Sequence, residues 1–351
     1  MKQSGTWRYY GGYQRISPGF DMNELGFQFT GDEQGAWAGL SYVQSRPRAI
    51  FRNFRVGVDG SWTWNTGGEE KGIWFRPVFF SATFKNNWEL NFNPMAFEWN
   101  RFSVTALRGG PGLRQNTWRN SFLYGSTDSR KPVKLGLWAA MGSISGTKQR
   151  WATLAPELTI RPSGTVSASL EVYYNWSRDP EQWIGRRTVN DSTHYLLGMI
   201  EQQTLNVTAR GTWTLSPTLS VQLFTQPFVS AGRYSNFKEA IVPGAERYED
   251  RFRLYGNELT CSDGDCEVDL DRDGSADFSF GQPDFNYKSL RSTMVLRWEY
   301  RPGSVLFVAW QHGRSESLST GSFGGFHSLA DLSSLPSDNT VLIKLSYWLG
   351  L

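Results

Sequence analysis

Three things are scarce in this chain of 351 residues: cysteine (two), histidine (three) and net charge, which is only +3. A balance that small argues against a nucleic acid or an anionic surface as partner, since both are gripped by an excess of Lys and Arg. No run approaches the ~18 continuous apolar residues that a spanning helix requires, and the mean hydropathy is −0.45. A helical membrane protein is therefore excluded. His194, His312 and His327 form no H-x-x-x-H pattern and none adjoins a cysteine. Neither G-x-S-x-G nor a phosphate-cradling Gly-Lys loop occurs, so no catalytic constellation is recognised and no enzyme activity is expected. Carboxylates paired in space, as in a glycosidase, leave no mark in one sequence.

What is abundant is aromatic. Phe, Trp and Tyr make up 15% of the chain, with 16 Trp. Aromatic-rich yet hydrophilic on average is the signature of strands that alternate apolar and polar side chains. The clearest case runs from Ser289 to Gln311. Leu290, Met294, Leu296, Trp298 and Tyr300 share one register against Arg291, Thr293, Arg297, Glu299 and Arg301. Pro302-Gly303 reverses the chain, and Leu306, Val308 and Trp310 resume the apolar register.

The same pattern recurs throughout. It places Trp7, Tyr9, Gly11 and Tyr13 on one face, then Leu25, Phe27 and Phe29, then Ala38, Leu40 and Tyr42. Phe54, Val56, Val58, Trp62 and Trp64 oppose Arg55, Asp59, Ser61 and Thr63, and Val166 to Trp176 alternate as cleanly. The closing run of Val341, Ile343, Leu345 and Tyr347 is a strand again. Arms of roughly 11 to 13 residues match the ~9–11 needed to cross a bilayer at a tilt. Short turns at Asn86, Pro162, Pro217 and Pro302 contrast with long polar stretches at 232–284 and 313–339. A loop is also expected near Arg178–Thr193, and another between Asn93 and Gln115.

These features predict an all-β protein: a single antiparallel transmembrane β-barrel over residues 1–351, of roughly 14–16 strands. Short turns occupy one rim and long loops the other, with a long external loop at about 235–284. Met1–Gly5 carries no apolar signal region, so an exported barrel implies a longer precursor.

At this point several segments are familiar as a set. They are Ile16–Phe27 (ISPGFDMNELGF), Thr127–Pro132 (TDSRKP), Gln226–Tyr234 (QPFVSAGRY) and Pro283–Ser304. Together they resemble the uncharacterised C-terminal barrel domain of bacterial outer-membrane proteins that carry a family-9-type carbohydrate-binding-like module upstream. The resemblance implies a place in a Gram-negative outer membrane, contact with the lipid bilayer and the outer-membrane assembly machinery, and an upstream carbohydrate-binding module as partner. No module of that kind lies in these residues, so its sugar specificity does not carry over.

Two candidate sites follow. Asp269, Asp271, Asp273 and Asp277 form a D-x-D-x-D-G-x-x-D run with Gly274 sixth, the pattern in which a short loop wraps Ca²⁺ in oxygen ligands. Phe280 stands twelfth, where a bidentate Glu belongs, and Glu267 is a possible substitute. The competing reading is a solvated acidic turn. Beside it Cys261 and Cys266 are close enough in sequence for a small disulfide, hence an oxidising compartment, the alternative being a pair of free thiols. The second candidate is the polar register of the barrel. Arg55, Asp59, Arg76, Glu171, Arg210, Arg291, Arg297 and Glu299 are expected to face the lumen, as a solute path or as a structural network. Trp37, Trp62, Trp64, Trp183 and Trp310 are expected in interface girdles rather than as sugar platforms.

The expected role is a porin-like channel, or a membrane anchor, concerned with uptake or handling of polar solutes such as oligosaccharides. The alternative is a soluble secreted β-protein that binds or hydrolyses polysaccharide.

Overall fold

The computed structural model describes residues 1–2, 4–21, 31–262 and 264–349. The expected strand face of Leu25, Phe27 and Phe29 lies outside them. The chain is all-β and antiparallel. Its strands begin with β1 (Trp7–Ile16), β2 (Glu33–Gln44), β3 (Phe51–Trp64), β4 (Glu70–Phe84) and β5 (Glu89–Trp99). Two short strands, β6 (Arg101–Ser103) and β7 (Leu113–Gln115), pair with each other. Then come β8 (Trp118–Ser126), β9 (Val133–Ile144), β10 (Arg150–Ser163), β11 (Val166–Val189), β12 (Ser192–Ser216) and β13 (Leu219–Ala240). The excursion that follows holds β14 (Phe252–Leu254), β15 (Leu259–Ser262), β16 (Asp265–Val268) and β17 (Phe278–Gly281). It leads into β18 (Phe285–Arg301), β19 (Ser304–Leu318), a short helix α1 (Phe326–Ala330) and β20 (Asp338–Ser346).

Fifteen strands form one sheet; β14 hangs off β13, which leaves fourteen in a single path from β1 to β20. Every step on that path joins sequence neighbours once the short loop strands are set aside. Among the described residues β1 and β20 do not pair, so each presents one open edge. Alternate connections emerge at the same rim, and one rim holds only tight reversals. Asn87 (φ 61°) turns β4 into β5, and Gly303 (φ 75°) turns β18 into β19. At the same rim Asp128 accepts bonds from Arg130 N–H, Arg130 Nε and Asn87 Nδ2, tying two neighbouring turns together. The Arg130 guanidinium holds its carboxyl well below the usual carboxylate range.

Register carries the alternation across the whole path. Tyr9 faces Leu40, Leu40 faces Val58 and Val56 faces Phe80; the row continues through Phe92, Leu123, Ala139, Leu154 and Tyr174. It runs on through Leu205 to Val229; the same face returns further along as Met294, Trp310 and Val341. Large apolar side chains on this face stand open to the surroundings, among them Met141 at 63% and Ile343 at 70%. The opposite face is polar, and small side chains there, such as Ser41, Thr153, Thr208 and Ser230, are buried. Crowding on one face and openness on the other is what curvature does to a sheet, so the polar face is concave.

Two expectations require correction. The segment Arg178–Thr193 is not a loop: β11 runs on to Val189 and β12 starts at Ser192. Asn190 and Asp191 (φ 46° and 64°) make the two-residue turn between them, the positive-φ pair a tight hairpin prefers. Likewise β5 continues to Trp99, past the point where the apolar alternation lapses. The expected excursion at 235–284 is itself built of strands, with β15, β16 and β17 in a small separate sheet.

Where β11, β12 and β13 outrun their neighbours, both sides of them are covered. Leu196 and Phe237 pack with Tyr255, Cys266, Val268, Phe278 and Phe280 of the excursion. Leu197 packs with Leu107 and Leu113 of the β5–β8 connection. The apolar clusters that a soluble protein would place at its centre thus lie beyond one rim. No helix among the described residues is long and apolar enough to cross a membrane, a statement that does not bear on strands.

Gly57 tests the tightness of the polar wall. A Cβ there would lie 2.6 Å from Leu40 O and 2.6 Å from the Phe79 ring. Gly57→Val is expected to cost about 1–3 kcal/mol by overpacking, read as a lower urea midpoint of the refolded protein, whereas Gly164→Ala, with open space around it, should shift it little.

Candidate functional site

The polar face is the larger candidate site, and register places all eight expected charged residues on it. Arg55 and Asp59 lie on β3 with Arg76 opposite on β4. Glu171 on β11 faces Glu157 on β10, and Arg210 on β12 faces Ser169 and Phe224. Arg291, Arg297 and Glu299 follow on β18. They do not form one cluster. Arg76 grips Asp59 in a bidentate pair, Nε–Oδ1 2.8 Å and Nη2–Oδ2 2.7 Å, and the Tyr10 hydroxyl donates to the same carboxylate at 2.7 Å. Arg297 meets Glu299 at 3.3 Å, and Lys134 meets Glu157 at 3.5 Å. Arg210 lies over the Phe224 ring, 5.1 Å from its centroid. Arg210 and Arg55 of this wall thus rest on rings rather than on carboxylates.

That aromatic lining is what a charge-based reading passes over. Trp37 lies opposite Ser61, so it belongs to the polar face with Asp59 and not to the apolar register of Ala38 and Leu40. The parity was legible: Trp37 is odd where its apolar neighbours are even. Trp62, Trp64 and Trp310 do share the apolar face, while Trp183 packs against the cluster of Leu107, Leu113 and Leu197. Trp151 also joins the polar face, with its indole over Gly142.

The second candidate is the excursion. Cys261 and Cys266, cross-strand partners of β15 and β16, form a disulfide. Next to it Asp269, Asp271 and Asp273 bring three carboxylate oxygens within 4.8 Å of one another. Backbone N–H groups shape the loop: Gly274 donates to Asp269 Oδ2 at 2.8 Å and Ser275 to Asp273 Oδ1 at 2.8 Å. Burial pushes the Asp269 carboxyl up, but the N–H groups of Gly274, Arg272 and Asp273 outweigh it, and the net shift is downward. Asp277 is engaged elsewhere, accepting from Leu270 N–H at 2.7 Å. Phe280 is buried in the apolar cluster, and Glu267 lies on β16 between Thr260 and Ser279. Three hard oxygen donors fit a divalent cation in type and charge; the fourth expected ligand does not join them.

A further group has no signal in the sequence. Arg251 is buried and donates to Ala245 O, Glu246 O, Arg114 O and Asn116 Oδ1, so one guanidinium ties the excursion to the β5–β8 connection. Lys238 donates to the Tyr248 hydroxyl at 2.9 Å and lies 4.0 Å from the Phe252 centroid. On the neighbouring strand extension, burial lifts the Glu181 carboxyl to about 7, and burial lowers the Lys238 ammonium to about 8. His194 and Arg253 share the Glu239 carboxylate close by.

The chain matches, over residues 1–351, the profile of a domain of unknown function, DUF5916. It belongs to that family. No curated protein and no solved structure matches it. The DUF5916 chain therefore takes its functional reading from its own residues.

The titrations set a pH dependence for the loops. A carboxyl raised in the folded state stabilises fully below its ordinary value near 4.5 and loses that contribution as pH rises through about 7. An ammonium lowered in the folded state destabilises until pH passes about 8, and stability returns towards 10.5. Amide exchange in 238–254, corrected for its intrinsic rate, should be least protected near pH 7–8 and better protected on either side. Arg251→Met should expose both 100–117 and 241–254 to protease together.

Proposed function

We propose that this DUF5916 chain is an outer-membrane β-barrel whose polar face lines a lumen, acting as a channel or as the membrane anchor for handling polar solutes such as oligosaccharides. One observation carries the reading: most of the exposed large apolar residues of the strands share one face of the sheet, from Tyr9 and Leu40 on to Met294 and Ile343. Leaving a Leu, Phe or Met side chain in water rather than burying it forgoes about 1.5–3 kcal/mol each. Among the described residues no second sheet covers that band, and the 319–337 connection reaches it only locally, where Phe323 meets Tyr174; lipid is the partner that fits the rest.

The height of the band agrees. On β18 it runs from Leu290 to Tyr300, ~33 Å of strand at ~3.3 Å per residue and roughly 23 Å when tilted by ~45°. From the level of Leu290, where Arg314 is its partner on β19, the same face turns polar. Lys288 pairs with Glu316 at 2.9 Å, and Arg314 donates to Leu335 O at 2.7 Å, which seats the 319–337 connection there. The even count of fourteen leaves β1 and β20 antiparallel to each other, the relation that closure requires. In this reading the two open edges are joined by pairing, the tight rim faces the periplasm, and the assembly machinery inserts the chain. An upstream carbohydrate-binding module would make the barrel its anchor.

The excursion fits a loop stapled for the oxidising exterior, and its three clustered aspartates a Ca²⁺ site that orders it.

Refolding into detergent should give a fast-migrating gel band that slows on boiling, and the refolded protein should conduct in planar bilayers. A monodisperse, folded protein without detergent would instead support the soluble polysaccharide-binding reading. Calorimetry of the refolded chain with Ca²⁺ should give heat that Asp271→Asn abolishes; no heat at millimolar ion would remove the metal from the account.

A further inference from the structure

The polar face is not evenly lined. On β1–β4 four side chains follow one another along the wall. The Trp37 indole lies across Gly12, where a Cβ would clash with the ring. Tyr10 lies across Gly39 in the same way, at 2.6 Å, with its hydroxyl on Asp59. The Phe79 ring reaches over Gly57, and both Arg76 and Arg55 stack on it, at 4.4 and 5.0 Å from its centroid. From Ser61, the partner of Trp37, to Arg55 is six residues of β3, ~20 Å at ~3.3 Å per residue.

The charges along this track are unequal. Arg76 is neutralised by Asp59. Arg55 has no carboxylate partner among the described residues, and its Nε is buried without a hydrogen bond. Glycines under the rings let flat faces lie against the backbone, so that each presents its outer surface to whatever occupies the concavity. Trp37 keeps 38% of its surface open there.

We propose that Trp37, Tyr10, Phe79 and Arg55 form a binding track for an acidic oligosaccharide, a linear saccharide bearing carboxylates. Ring faces receive the C–H faces of sugar units, the Asp59–Arg76 pair and Ser61 serve hydroxyls, and Arg55 takes a carboxylate through its fork of donors. A neutral saccharide would leave that guanidinium unpaired, and an aromatic hydrocarbon would leave the polar groups unserved. The inference deepens the solute-handling reading above, but the track itself needs only the concave face.

The test is calorimetry on the detergent-refolded chain with an oligogalacturonate, compared with an uncharged oligosaccharide of equal length. Heat-modifiability of each sample is checked first, so failure of the barrel is seen separately from failure of binding. The acidic oligomer should bind and the neutral one bind roughly tenfold more weakly, the size expected of one charged contact. Trp37→Ala should weaken the acidic oligomer by about tenfold, and Trp37→Phe should keep most of the affinity. Arg55→Gln should remove the preference for acid while leaving the neutral affinity in place. Lys148→Gln, in the exposed turn between β9 and β10, should change nothing. A heat-modifiable protein that binds neither oligomer, or both equally, overturns the proposal, as does a Trp37→Ala variant that folds and binds unchanged.

Discussion

Among the described residues no second sheet lies against the apolar face of the path from β1 to β20. Everything else in this structure follows from that constraint. The backbone can satisfy its own donors and acceptors across the path from β1 to β20, because each inner strand has two ladders. The side chains cannot do the same. Ile343, Met141 and their neighbours stand open on the apolar face, and water is a poor partner for so continuous a band. Hydrogen bonding is settled within the sheet; the apolar face is left for the surroundings to settle.

Beyond the band the construction changes: β11–β13 carry hydrophobic side chains on both sides, Leu196 to one and Leu197 to the other, and loops cover each. That is the packing of a water-soluble domain, and it needs the devices such domains use. The Cys261–Cys266 disulfide closes a short hairpin. Arg251 satisfies four acceptors from two connections, which makes a buried charge tolerable. The Glu181 and Lys238 pair, pushed by burial towards neutrality from opposite sides, belongs to the same region.

Much of this could be read from the residues alone, because period-2 alternation survives wherever one face is apolar. The hairpin through Pro302-Gly303 and the arm from Phe54 to Trp64 appear as expected. The alternation fails as a guide where both faces are covered. Trp183 and Ile184, or Leu196 and Leu197, are adjacent and both apolar, so the extension of β11 and β12 looked like a loop. Asn190-Asp191 was the one local signal of its hairpin. Position on the polar face could be read from parity for Arg55, Asp59 and Glu171, and equally for Trp37, where residue type argued the other way. Contacts between strands, such as Tyr10 with Asp59 or Arg251 with Asn116, depend on register and leave no trace in one sequence.

The central claim is that the apolar face meets lipid while the polar face meets water. Variants each retaining a single tryptophan test it directly, with brominated lipid and aqueous acrylamide as opposed quenchers. Trp62, Trp298 and Trp213, the last in the apolar register opposite Val166, should be quenched by the lipid and shielded from acrylamide; Trp37, Trp151 and Trp138, the last in the polar register opposite Ala155, should behave the other way round. If the two groups respond alike, or if Trp62, Trp213 and Trp298 respond to acrylamide alone, the sheet does not stand in a membrane and the account fails.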